Sequence, residues 1–125
     1  MKKVITSSGA PAPIGPYSHA VMTGNMLFIS GQVGKHPETG AIHNENIEAE
    51  TTRVMENLRA ILSEAGMDFT HVVKTTIFLT DLNNFSKVNA IYGSYFTADF
   101  PARETVQVSR LPLDVNVEIS MIAAK

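Results

Sequence analysis

Cysteine is absent from the 125 residues. Disulfides, thiolate nucleophiles and cysteine-ligated zinc are therefore excluded, and a reducing cytosol suits the chain. Positive charge is also scarce. Ten Lys and Arg stand against 12 Asp and Glu, a formal net charge of −2. Arg53, Arg59, Arg103 and Arg110 are dispersed, and Lys2-Lys3 is the only adjacent basic pair. Nucleic acids and anionic membranes need a positive field, so this balance counts against both as partners. No apolar run approaches the ~20 residues of a membrane span. Pro11, Pro13 and Pro16 interrupt any signal-peptide core, so a cytoplasmic protein is the expectation. The four histidines, His19, His36, His43 and His71, lack ligand spacing, and no metal is expected. There is no P-loop, no dinucleotide fingerprint and no nucleophile elbow. No repeat, linker or low-complexity stretch divides the chain.

What is present fits one domain spanning residues 1–125. A chain of this length buries roughly two-thirds of its unfolded surface, enough for a core without staples. Lys3 to Thr6 reads as a short strand. Ser18–Met22 and Met26–Ser30 flank Thr23-Gly24-Asn25, a hairpin signal. Met26-Leu27-Phe28-Ile29 is almost wholly apolar, as in a strand covered on both faces. Val54, Leu58, Ile61, Leu62 and Ala65 mark one buried face of a helix over 47–65. Glu45, Glu48 and Glu50 crowd its positive end, and Gly66 stops it. Val72 to Leu79 is a strand by its β-branched content. There Val72, Thr76 and Phe78 oppose Val73, Ile77 and Leu79. Phe85 to Phe96 is a second helix, with Pro101 beyond it. Strands over 104–108 and 115–122 close the chain. This order predicts an α+β fold with a mixed sheet and two helices on one face. The opposite face keeps apolar residues and needs a partner, for which self-association is the simplest supply.

The last two strands carry the chemistry. Arg103, Thr105 and Gln107 share one face of the first, and Asn116, Glu118 and Ser120 one face of the second. If the two form an antiparallel hairpin, apolar must match apolar across the pair. That places Glu118 opposite Arg103 or Thr105, in one polar strip. An acid between Val117 and Ile119 is unusual in a buried strand. It reads either as a structural ion pair or an edge residue facing water, or as a general acid/base beside an arginine that fixes a carboxylate, for which the guanidinium fork is suited. Tyr17 at a turn exit, Ser30-Gly31 at a strand end and Asn89 on the second helix read in isolation as packing, turn and hydrogen-bonding residues.

Together these fragments resemble a known family. Ile14-Gly15-Pro16-Tyr17-Ser18, Ser30-Gly31-Gln32, Glu56-Asn57-Leu58, Val73-Lys74-Thr75-Thr76, Asp81-Leu82-Asn83, Val88-Asn89-Ala90, Phe100-Pro101-Ala102-Arg103 and Arg110-Leu111-Pro112 through Val117-Glu118-Ile119 match the YjgF/Rid proteins, the reactive-intermediate (enamine/imine) deaminases. They are most similar to the RidA-type subgroup. The resemblance implies a chorismate-mutase-like fold, a homotrimer and sites in clefts between subunits. It implies hydrolysis of 2-imino or enamine acids, such as those derived from 2-aminoacrylate, to 2-keto acids and ammonia, without a cofactor. By that match Arg103 binds the substrate carboxylate and Glu118 activates water or moves protons. The backbone carbonyl of residue 105 helps position that water. Tyr17, Ser30, Gly31, Asn89 and Thr105 line the cleft. The alternative is a non-catalytic protein that binds or senses 2-keto or amino acids in the same cleft. Three positions depart from the family pattern. Thr105 stands where Cys is frequent, His19 where Gln is common and Glu104 where a small residue is common. As a strand neighbour of Arg103, Glu104 is expected to point away from it.

Overall fold

Strands alternating with helices decide how this chain is threaded. In the computed structural model, which describes residues 1–125, the strands are β1 (Lys2–Ile5), β2 (Ala20–Thr23), β3 (Met26–Gln32), β4 (Val72–Leu79), β5 (Ala102–Gln107) and β6 (Val117–Ala124). They form one sheet in the order β1-β2-β3-β6-β4-β5. Helix α1 (Ile47–Glu64) leads from β3 to β4, and α2 (Phe85–Gly93) from β4 to β5. Both are crossovers between parallel strands, and both step the same way across the sheet. Such crossovers are right-handed, so both helices arrive on the same face. This is the expected α+β fold, a mixed sheet with two helices on one face.

Helix α1 starts where Asn46 caps it, accepting the Ala49 N–H at 2.7 Å. It stops before Gly66, whose φ of +72° suits a residue without a Cβ. Val54, Met55, Leu58, Ile61 and Leu62 are fully buried. They pack on Leu27, Ile77, Leu79, Val117 and Ile119 of the sheet, in one continuous core. Helix α2 is shorter than its apolar period predicts. It ends at Gly93, and Tyr95 and Phe96 continue in turns closed by bonds to Tyr92 and Gly93 carbonyls. Both aromatics still reach the core edge. No helix is long and apolar enough to cross a membrane.

Three expectations need correction. The predicted hairpin between the last two strands does not form. β5 pairs in parallel with β4 at the sheet edge, while β6 lies between β3 and β4, antiparallel to both. The βαβ unit β4-α2-β5 accounts for this, because a crossover helix leads to a parallel neighbour. Burial points the same way: β6 alternates strictly between buried and half-buried positions, whereas β5 has no fully buried residue. Second, β3 is covered on one face only. Leu27 and Ile29 are buried toward the helices, and Phe28 is 44% exposed. Third, a bulge opposite β6 between Val72 and Lys74 shifts the start of β4, so Val72 joins Thr75, Ile77 and Leu79 on the helix side.

The face away from the helices carries an apolar row. Val4, Val21, Phe28 and Ile122 are successive cross-strand partners, and Phe78 pairs with Val106 on the same face. Val4, Phe28 and Val106 are exposed.

One acid sits inside the core. Glu50, in the first turn of α1, is fully buried. Its carboxylate accepts from the Asn116 N–H at 2.7 Å, Asn116 Nδ2 at 2.8 Å and the Val117 N–H at 3.3 Å. The positive end of the helix adds to this compensation. Gly34 makes room for it, since a Cβ there would lie 2.8 Å from Glu50 Cγ. Glu50 thus ties α1 to the entry of β6, next to Glu118. Glu50→Ala would leave those donors buried without an acceptor. A loss on the order of 3 kcal/mol is expected, read as a lower denaturation midpoint at fixed protein concentration. A wild-type midpoint in that variant would show that the clamp carries no weight.

Candidate functional site

Side chains directly paired across a sheet share a face. Arg103 pairs with Thr75, which pairs with Met121, so Arg103 lies on the helix side. Glu118 pairs with Phe78, which pairs with Val106, so Glu118 lies on the open side. The two residues expected in one polar strip therefore stand on opposite faces of the sheet. Two cavities follow this division.

The first, of about 420 Å³, is lined by Tyr17, Ser30, Gly31 and Glu118, together with His19, Lys35 and apolar side chains that include Ile14 and Leu113. Glu118 reaches it from β6. Burial pushes its carboxyl above the usual range, with no cation to offset that effect. Its close neighbour is the Gly31 backbone, at the point where the β3–β6 register shifts between Ile29 and Gln32. A Cβ on Gly31 would lie 2.8 Å from Glu118 Cδ. A side chain at residue 31 would push the Glu118 carboxylate off this floor. Ser30 Oγ donates to the Ser18 carbonyl at 2.6 Å, which fixes the hydroxyl beside the floor. Tyr17 leaves a turn closed by its N–H to the Gly15 carbonyl at 2.8 Å, and its side chain is exposed at the mouth. The opposite wall is the 112–113 segment, where Leu113 adopts φ +62°.

The second cavity, of about 470 Å³, is lined by Asn89, Tyr92, Gly93, Phe100, Pro101 and Arg103. Arg103 Nη1 donates to Asn89 Oδ1 at 2.7 Å. The guanidinium carbon lies 5.1 Å from the Tyr92 ring centre and 5.7 Å from that of Phe85, within cation–π range. Tyr92 is itself held, its hydroxyl donating to Thr75 Oγ1 at 3.0 Å. Burial raises the Tyr92 phenol, while the Thr75 bond and the Arg103 charge lower it. Arg103 has no carboxylate partner among the ion pairs of the chain. It is aimed, half-buried and free to take an anion.

Glu104 does not compete for it. It faces the open side, where its carboxylate accepts from Thr76 Oγ1 at 2.9 Å and meets Lys74 Nζ at 3.2 Å. The Thr76 hydroxyl, then Lys74, holds this carboxyl below its usual range. Thr105 lies on the Arg103 side, next in the strand's alternation but outside the second cavity's lining. Its hydroxyl is buried without a hydrogen bond. Of the residues singled out from the sequence, Tyr17, Ser30, Gly31 and Glu118 thus come together, as do Asn89 and Arg103. The two groups do not meet within one chain. The supporting residues Tyr92 and Leu113 are not singled out by the sequence, and His19 stands out there only as a departure from the family pattern. Tyr92 falls on the apolar period of α2, where it is indistinguishable from core.

The family described as Endoribonuclease L-PSP matches residues 7–125. A RutC family protein of Pyrococcus abyssi is 51% identical over 124 residues, 99% of this chain and 98% of its own length. The 2-iminobutanoate/2-iminopropanoate deaminase of Salmonella typhimurium is 46% identical over 128 residues, 100% of this chain and 99% of its own. The crystal structure of E. coli TdcF with bound serine superposes with a TM-score of 0.94 at 40% identity, covering 98% of both chains. Near end-to-end identity, a shared fold and the motifs around Arg103 and Glu118 agree: this chain belongs to the Endoribonuclease L-PSP family, the YjgF/Rid proteins.

Proposed function

We propose that this protein is a cytoplasmic homotrimer that hydrolyses 2-imino and enamine acids to 2-keto acids and ammonia, in sites built from two half-sites on neighbouring subunits. The observation that carries this reading is the division of the site. An anion-seeking Arg103 and an unpaired acid, Glu118, occupy separate cavities on opposite faces, neither in an ion pair within its own chain. The apolar row on the open face supports burial by further copies. The deaminase activity named for the Salmonella relative and the serine bound to TdcF both fit a small amino-acid-like carboxylate.

In this mechanism Arg103 takes the substrate carboxylate bidentately, oriented by Asn89 and stacked on Tyr92. Glu118 of the neighbouring subunit supplies the proton chemistry. Its raised carboxyl protonates the imine nitrogen, which makes the C=N carbon electrophilic. Water adds there and gives up a proton to the resulting carboxylate. The carbinolamine then expels ammonia as its hydroxyl closes to the ketone. An enamine enters by protonation at its β-carbon. No electrons are transferred, so an acid and a base carry the reaction without a cofactor. Tyr17, Ser30 and Gly31 form the floor and mouth, while the Thr105 side chain, buried behind Arg103, supports the strand and does not reach the bound substrate. The alternative is carboxylate binding without turnover, which uses the same Arg103 half-site and makes no demand on Glu118. An endoribonuclease reading meets a net charge of −2, where phosphate contacts require clustered cations.

Arg103→Ala should lose transition-state stabilisation on the order of 2–5 kcal/mol. Glu118→Gln should lower turnover roughly 10²–10⁴-fold. Keto-acid release from freshly generated 2-aminoacrylate measures both. Co-assembling the two inactive variants should restore about a quarter of wild-type activity, because each mixed trimer holds one site with both native halves. No recovery in verified mixed trimers would refute the shared site. Since Glu118 must be protonated to act as the acid, turnover should fall as pH rises through its raised value. The residual activity of Glu118→Gln should lack that alkaline limb.

A further inference from the structure

His19 lines the Glu118 cavity, yet its ring is almost wholly buried, at 2% exposure. Both ring nitrogens are committed to the segment that forms the cavity's lip. Nδ1 accepts the Ser7 N–H at 3.1 Å. Nε2 lies 2.6 Å from the Pro11 carbonyl, which can only accept, so Nε2 carries the proton. An amide and a carbonyl cannot exchange roles, and the ring is held as one neutral tautomer. The same residue's carbonyl accepts the Ser30 N–H at 2.9 Å. His19 is therefore the joint between the lip, which continues through Pro11, Ala12 and Ile14 to Tyr17, and the Ser30–Gly31 floor under Glu118.

We infer that His19 is a positioning residue and a proton-sensitive latch, which holds the substrate-binding lip closed only while its imidazole is neutral. Protonation puts a hydrogen on Nδ1, where it faces the Ser7 N–H donor to donor. The acceptor is lost, and the buried Ser7 amide is left without a partner. The lip must then swing off β2 or the ring must leave its pocket. Other groups titrating or charged around this cavity are Tyr17, Lys35 and Glu118, while Ser7 and Pro11, the ring's hydrogen-bond partners, bring none. Glutamine offers one acceptor and one donor at the end of a flat side chain. His19→Gln thus keeps an acceptor for Ser7 and a donor for Pro11 in a group that does not titrate.

This inference rests on the deaminase reading for its kinetic arm but not for its structural one. The test compares wild type, His19→Gln and His19→Ala across acid to neutral pH. Hydrogen-exchange protection of the Ser7 amide, corrected for intrinsic rates, reports the latch directly. In wild type, protection should fall as pH is lowered. His19→Gln should hold it throughout, and His19→Ala should lack it at every pH. The KM for the imino acid should rise roughly two- to tenfold on the acid side in wild type, the equivalent of one net hydrogen bond, with little change in kcat. In His19→Gln it should stay flat. Glu118 remains in both proteins, so its own titration cannot produce that difference. An acid-side loss of Ser7 protection that is identical in wild type and His19→Gln would overturn the latch. Absence of deaminase activity in every protein, with the protection pattern intact, would instead refute the deaminase reading and leave the latch standing.

Discussion

Strand pleating is the constraint on which this site depends. Successive side chains of a strand point to opposite faces, and pairing carries that alternation across the sheet. Arg103 and Glu118 fall on opposite sides as a result, fixed by the Thr75 and Phe78 pairings of the strand between them. No side-chain rearrangement can bring them together through the sheet. An arginine without a carboxylate and a carboxylate without a cation would be costly as a pair of structural accidents. In the shared cleft proposed above each would complete the other, and a contact that covered the open apolar face would also close the site.

Each half is stiffened by different means. The arginine is held by Asn89 at one Nη, by Tyr92 and Phe85 within cation–π range, and by Thr75 fixing Tyr92. These are packing interactions that survive changes of pH. The Glu118 half is held by backbone geometry, with the bulge at Ser30-Gly31 bringing main chain against the carboxylate. There a side chain would be an obstacle, and the site is built from an absence, the missing Cβ of Gly31. Burial without a hydrogen bond to the carboxylate keeps the Glu118 carboxyl high. A floor of hydrogen-bond donors would lower it and favour the ionised form.

Much of this was legible in the sequence, and the exceptions have physical causes. The 3.6-residue period of α1 and the β-branched run of β4 place both elements within a residue or two, because each buries one face against a single core. The uncovered face also follows from counting two helices against an apolar sheet. The pairing of the last strands was misread because face-matching presupposes adjacency. Any two amphipathic strands can be matched that way, whether or not a third lies between them. The β4-α2-β5 order held the missing information, since a helix of that length joins parallel strands. Glu104 was read correctly, as pleating alone turns it from Arg103. Glu50 was readable only in part. It stands four residues before Val54, on the buried stripe of α1, but nothing local says that its partners lie at Asn116 and Val117.

The buried polar groups show how the division of labour is arranged. Glu50, His19 and Asn57 all sit at seams where a loop meets regular structure. Glu50 pins the entry to β6, His19 pins the lip to β2, and Asn57 donates to the Val33 and Lys35 carbonyls, pinning the segment after β3 to α1. The His19 and Asn57 seams border the Glu118 cavity, whose walls include the lip, Val33 and Lys35, and the Glu50 seam ends one residue before Glu118. A cavity lined by loops has no ladder of backbone bonds to shape it, so its walls take their positions from side-chain pins satisfied on every side. Glu50 is compensated by N–H donors alone, whereas Asn57 and His19 are each matched by both a donor and an acceptor. In the latch proposed above the His19 ring loses its Ser7 match when it gains a proton, so mechanical support and sensitivity to pH would enter this half-site through the same ring.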